Sequence, residues 1–187
     1  MSNESKPEAP TRGSFVPRSQ LLSADDVARA LTRMAHEVLE RHGDGDVVLI
    51  GLQTGGVPFA RALSERLTSI GGRDYPLGLL DVAFFRDDLD QRPLMDPGTT
   101  ALPVDLDAQV VLLVDDVLFT GRTIRAALNA LADWGRPRAI ELAVMVDRGH
   151  RELPIRPDYV GKNLPTSRRE SIQATLEGVW IGDEERS

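Results

Sequence analysis

Val110-Val111-Leu112-Leu113-Val114-Asp115-Asp116-Val117-Leu118-Phe119-Thr120-Gly121-Arg122-Thr123 is the stretch on which the fold of this chain turns. Val110–Val114 is an unbroken apolar run, as expected of a strand buried on both faces of a parallel sheet. Two carboxylates follow, then a turn that opens a helix predicted over Arg122–Trp134. In an open α/β sheet, ligands bind beyond the carboxyl ends of the strands, where Asp115 and Asp116 lie. Thr120–Thr123 falls at a helix N-terminus, where unpaired backbone N–H groups and the helix dipole favour an anion. Gly121 allows close approach of the backbone, and the Thr120 and Thr123 hydroxyls can donate further hydrogen bonds. Carboxylates would repel a phosphate, so the acids are better matched to donors such as sugar hydroxyls. The predicted ligand is therefore a sugar carrying a phosphate. A pair of acids that merely caps a turn is the plainer alternative. It does not explain why strand end, acid pair and Thr-Gly-x-Thr coincide.

Working outward, strands and helices alternate. Ser23–Arg41 has an N-cap at Ser23, an acid at Asp26, and Val27, Ala30, Leu31, Met34, Ala35 and Val38 at helical spacing. Val47–Leu52 reads as a strand, Thr54-Gly55-Gly56 as a tight turn, Val57–Ile70 as a helix and Leu79–Phe85 as a strand. Arg86–Gln109 is polar and broken by Pro93, Pro97, Gly98 and Pro103, too long for an idle connection in a compact domain. Ala139–Val146 is the next strand. From Arg148 on the chain is loop-rich, with short strands near Tyr159-Val160 and Leu176–Ile181. This alternation predicts right-handed crossovers and a mainly parallel twisted sheet flanked by helices. Residues 1–20 read as a disordered tail, 21–182 as the domain and 183–187 as a C-terminal tail.

Composition narrows the function. The chain has 187 residues, 41% apolar and 27% charged, with no cysteine, which excludes a disulfide framework and thiolate metal sites. No apolar stretch is long enough to span a membrane and no secretory leader is evident, so a cytoplasmic protein is expected. Net charge is −7, against binding nucleic acid by bulk charge. Residues 148–169 are an exception, with six bases against two acids in 22 residues. The P-loop and dinucleotide-binding glycine patterns are both absent.

Segment 111–123 resembles the PRPP-binding signature of type I phosphoribosyltransferases, where PRPP is 5-phosphoribosyl-1-pyrophosphate. The stretches 30–37, Arg86-Asp87-Asp88-Leu89, 115–123, 146–156 and Asp158-Tyr159-Val160-Gly161-Lys162-Asn163 resemble, in order, the PyrR family. Its members are bacterial regulators of the pyrimidine operon that are also uracil phosphoribosyltransferases. The resemblance implies a type I phosphoribosyltransferase fold with a small hood and a flexible lid, and the reaction of uracil with PRPP to UMP and pyrophosphate. It implies that Asp115 and Asp116 hold the ribose hydroxyls, and that Val117, Leu118, Phe119, Thr120, Gly121, Arg122 and Thr123 form the 5-phosphate loop. Thr54, Gly55 and Gly56 fall at the pyrophosphate loop, Arg86 begins the lid, and Arg148 is a further PRPP or nucleotide contact. Mg²⁺ is implied, held mainly through the pyrophosphate, so no protein ligand is assigned to it. One departure stands out. The family usually carries a base between Thr54 and Gly56, and this chain has Gly55, which is expected to weaken pyrophosphate binding.

The same resemblance implies UMP-dependent binding of a stem-loop in the pyr mRNA leader. The matching residues are Thr32, Arg33, His36 and Arg41 on the first helix, with Arg148, Arg151, Arg156 and Lys162. Thr32 and His36 lie at i and i+4, on one helix face. Arg33 and Arg41 could instead pair with Glu37 and Glu40 as a solvated face. His150 and Glu152 are read as base-pocket or surface residues rather than acid–base catalysts. Expected partners are PRPP, uracil, UMP or UTP, the leader RNA and further copies of the chain, as a dimer or higher. Two other readings are a regulator with a vestigial enzyme site, and a salvage phosphoribosyltransferase for another base with no RNA role.

Overall fold

Ser23 caps the first helix as its sequence predicts. Its hydroxyl accepts from the Asp26 backbone N–H, and the Asp26 carboxylate takes the Ser23 N–H at 2.9 Å. In the computed structural model, which describes residues 15–82, 100–102 and 105–184, this helix (α1) runs Ala24–His42. Before it lies β1 (Phe15–Ser23). After it come β2 (Val47–Leu52), α2 (Gly56–Gly71), β3 (Leu77–Leu80), β4 (Val110–Leu118), α3 (Arg122–Leu131), β5 (Ala139–Asp147), β6 (Tyr159–Asn163), β7 (Ser171–Thr175) and β8 (Gly178–Glu184).

The main sheet has five strands in the order β3-β2-β4-β5-β6, all pairs parallel. Its central strands alternate cleanly between two cores. Val47, Leu49, Val110, Leu112 and Val114 face α1 and α2, packing on Leu31, Met34, Phe59 and Leu63. Val48, Ile50, Val111 and Leu113 face α3 and meet Ile124, Ala127 and Leu131. Two covered faces explain why β2 and β4 read as continuous apolar runs. Emptying one such position, as in Leu112→Ala, would cost about 2–5 kcal/mol.

Several predicted boundaries change. The first strand occupies Phe15–Ser23, so residues 15–20 are sheet rather than tail, and β8 carries order to Glu184, into the expected C-terminal tail. These two strands pair antiparallel, Phe15 opposite Glu184 and Ser23 opposite Gly178. With β7 they form a three-stranded sheet, β1-β8-β7, which is the expected hood. The strand predicted at Leu79–Phe85 is β3, two residues earlier and ending at Leu80, with Leu79 bridging Ala101 antiparallel. The α3 helix stops at Leu131 rather than Trp134, and β4 continues past Val114 to Leu118, so the two acids belong to the strand itself. Most of the predicted lid, Arg86 included, lies outside the described residues, as do residues 1–14 and 185–187.

Candidate functional site

Two loops predicted separately meet at the carboxyl end of β4. A Cβ on Gly56 would stand 2.2 Å from the Val114 carbonyl oxygen and 2.9 Å from Asp115 Cα. Only glycine lets the first turn of α2 press on the strand this closely. A Cβ on Gly55 would stand 2.2 Å from Asp116 Oδ2, so that carboxylate fills the space a side chain would take. The peptide between Gln53 and Thr54 is cis. Thr54, Gly55 and Gly56 thus lie against the acid pair.

The acids differ in setting. Asp115 is buried, and its Oδ1 accepts from the Asp116 N–H at 3.0 Å. Asp116 is half-buried, with Oδ1 accepting from the Val117 N–H at 2.8 Å. Among the described residues no group of three or more His, Cys, Asp or Glu side chains is gathered for a metal. Two carboxylates at a strand end suit Mg²⁺ only in the manner typical of that ion, with one or two protein oxygens and the rest from phosphates and water.

Gly121 is the N-cap of α3 at φ +93°, and no side chain caps the helix. The Arg122 N–H makes a long bond to Thr120 Oγ1 at 3.4 Å, and the first turn as a whole presents backbone N–H groups of the kind that hold an anion. The loop leading into the helix is held from outside. The Thr120 carbonyl accepts the N–H groups of Glu152 and Leu153 at 3.0 and 3.3 Å. The Phe119 carbonyl accepts from Arg151 Nη1 at 2.8 Å. The Phe119 ring lies under the Arg148 guanidinium at 4.0 Å and edge-on to His150, ring centroids 5.7 Å apart. Arg122, assigned to the phosphate, is exposed and pairs with Glu152 at 2.7 and 2.9 Å.

Arg148 is buried and turned inward. Nε donates to Thr166 Oγ1 at 3.0 Å and Nη2 to the carbonyls of Ser167 and Glu170. Arg151 also faces inward, with its side chain 22% exposed. It pairs with Asp147 at 2.6 Å and donates to the Ile155 and Phe119 carbonyls. These roles were not legible, because the partners are mostly backbone carbonyls distant in sequence. The loop around Thr166 showed in the sequence only as the end of a basic stretch.

The remaining candidates line another edge. Thr32, Arg33 and His36 are exposed and, with Ala28 and Arg29, line a shallow hollow on α1. Arg33 pairs with Glu37, as the helix spacing allowed, but also donates to the carbonyls of Val160 and Gly161 at 2.7 and 2.9 Å. That ties α1 to β6 and brings the edge carrying Lys162 beside it. Arg41 pairs across to Glu141 and Asp158 rather than with Glu40. Glu141, buried on β5, also meets His42 Nε2 and the Tyr159 hydroxyl, each at 2.8 Å. Burial first, and then the bond to Glu141, hold the Tyr159 hydroxyl protonated well above its usual range. Arg156 and Lys162 are exposed and carry no ion pair among the described residues.

The phosphoribosyl transferase domain family matches residues 17–176. The bifunctional protein PyrR of Streptomyces coelicolor is 58% identical over 158 residues, covering 83% of this chain and 82% of that one. The protein of the same name from Deinococcus radiodurans is 51% identical over 165 residues, covering 86% and 89%. Among solved structures, the hypoxanthine phosphoribosyltransferase of Trypanosoma cruzi superposes with a TM-score of 0.69 at 17% identity, covering 90% and 98%. That of Staphylococcus aureus gives 0.67 at 17%, covering 90% and 93%. At such identity these two speak for the fold alone. Fold, site and relatives agree: the chain belongs to the phosphoribosyl transferase domain family and, within it, to the bifunctional PyrR proteins.

Proposed function

We propose that the chain joins uracil to the ribose of PRPP, giving UMP and pyrophosphate, and that with UMP bound it regulates pyrimidine genes by binding a stem-loop in their leader RNA. The observation that carries the first half is a single juxtaposition. An acid pair, a helix N-terminus entered through glycine and a glycine turn converge on the end of β4. The 5-phosphate suits the first turn of α3, and the ribose hydroxyls suit Asp115 and Asp116. The pyrophosphate suits the turn at Thr54–Gly56. As the bond from C1 to pyrophosphate breaks, positive charge grows on the sugar and the base nitrogen takes its place, its N–H proton passing to the departing pyrophosphate or to solvent. The acids stabilise that charge and hold the ring in line, so positioning and electrostatics do the work. Mg²⁺ would offset the charge of the departing pyrophosphate, bound mainly through it.

For the second half, the α1 hollow with Arg29, Thr32, Arg33 and His36 lies next to the β6 edge with Lys162. Phosphate contacts from such bases, with hydrogen bonds to splayed loop bases, are how RNA loops are held. Arg156 adds a cation with no carboxylate partner among the described residues. Arg41 is as exposed and as ion-paired as Arg33 and belongs to this surface, whereas Arg151 is turned inward and supports it. We place the protein in the cytoplasm, as a homo-oligomer. No helix among the described residues is long and apolar enough to cross a membrane. The name shared by the relatives favours this reading over salvage of another base.

The test has two arms. Uracil and PRPP should yield UMP and pyrophosphate; no turnover with intact UMP binding would leave a regulator alone. A pyr leader stem-loop, titrated at fixed salt, should bind more tightly with UMP than without. No binding at any salt would remove the regulatory half.

A further inference from the structure

We propose that Arg148 is a positioning residue for the 5-phosphate loop, acting through the ring of Phe119 and anchored on the hood. This rests on the phosphate assignment above. Phe119 is the residue immediately before Thr120-Gly121-Arg122-Thr123, so its placement sets where the loop begins. The Arg148 guanidinium lies 4.0 Å from the centre of that ring. Its own N–H donates to the Leu118 carbonyl at 3.1 Å, fixing the strand end beside it. The guanidinium edge is held by Thr166 Oγ1 and by the carbonyls of Ser167 and Glu170, which lead directly into β7. His150 meets the same ring edge-on and donates from Nε2 to the Thr166 carbonyl. One loop of the hood, residues 166–170, therefore orients both side chains that touch the Phe119 ring.

The choice of arginine follows from the geometry. A planar guanidinium can stack its face on a ring while its edge donates to several carbonyls, and an ammonium cannot do both. At 7% exposure water screens the contact little. The side chain is also directed away from solvent, so its effect on the phosphate is transmitted by the loop. A purely structural arginine would affect every ligand of the site alike. A positioning arginine affects only ligands that carry the 5-phosphate.

The experiment compares UMP with uridine, which lacks that phosphate, by calorimetric titration of wild type, Arg148→Lys, Phe119→Leu and the double variant. Arg148→Lys should weaken UMP about tenfold and leave uridine within about twofold. Phe119→Leu should do the same, and the double variant should be no worse than either single one, because both remove one contact. Equal weakening of UMP and uridine, full additivity, or an unchanged Arg148→Lys would each overturn the inference while leaving the proposed function intact. If Arg148→Lys is too unstable to titrate, Phe119→Leu decides alone by its ratio of UMP to uridine. Wild type that binds neither ligand would overturn the proposed function and this inference with it.

Discussion

The phosphate loop and the α1–β6 edge carry similar cations and use them in opposite ways. Around Phe119 and Thr120, Arg148 and Arg151 point inward and donate to backbone carbonyls. Along the outer edge, Arg156 and Lys162 point outward with no ion partner among the described residues, and His36 lies exposed. Arg151 and Arg156 are five positions apart in one basic segment, yet one builds the fold and the other faces solvent. Charge in a sequence marks where anions could bind. Whether a given guanidinium is available depends on whether a carbonyl reaches it first.

Substitutions can break or sharpen this contrast. The largest effect is expected at the acid pair: Asp116→Asn should lower kcat/KM with PRPP about 10²–10³-fold and leave RNA affinity in excess UMP unchanged. A large loss of RNA binding in that variant would show that the two regions are not separable. Next, Arg151→Ala should destabilise the domain by about 1–3 kcal/mol, since it strips donors from part-buried carbonyls and leaves Asp147 unpaired. Arg156→Ala should stay within about 0.5 kcal/mol in urea denaturation. If the two variants unfold alike, the distinction between them fails. Arg156→Ala should instead weaken leader RNA uniformly across sequences and lower the salt slope by about 1.

The smallest effect belongs to the capping box of α1. Ser23→Ala should lower Tm by about 2–4 °C. The Ser23 bonds hold the Asp26 carboxyl below its usual value. Its contribution is therefore full above the ordinary carboxylate range and lost as pH falls through the depressed value. Thermal melts of Ser23→Ala should show less acid sensitivity than wild type.

The β4–turn–α3 unit was legible because everything that specifies it is local. An apolar run, two acids, a glycine needed at positive φ and an amphipathic helix follow one another within 25 residues. The hood was not. Strand β1, Phe15-Val16-Pro17-Arg18-Ser19-Gln20-Leu21-Leu22-Ser23, is exposed over most of its length and contains a proline, so it shows no clean alternation. What makes it a strand is β8, far away in the chain. The site divides the same way. Asp115, Asp116 and Gly121 were recognisable from type and spacing and the turn at Thr54–Gly56 from the family resemblance, and the structure sets that turn against the acid pair. Neither the inward turn of Arg148 and Arg151 nor the Glu141 cluster was recognisable, because a guanidinium shows its partner only in three dimensions. The contact of Gly55 with the Asp116 carboxylate is likewise one that spacing alone could not supply.

The pairing of β1 with β8 bears on how the protein is made. A ribosome releases Phe15 long before Glu184, so β1 has no partner until almost the whole domain has emerged. The parallel sheet can assemble from contacts closer in sequence, whereas the hood must wait for the most distant strand pairing among the described residues. The loop at 166–170, which orients Arg148 over Phe119, is continuous with that late sheet. Competence to grip a phosphate is thus acquired near the end of synthesis, and a nascent chain interrupted before Gly178 would carry the acids and the glycine turn without a finished cradle.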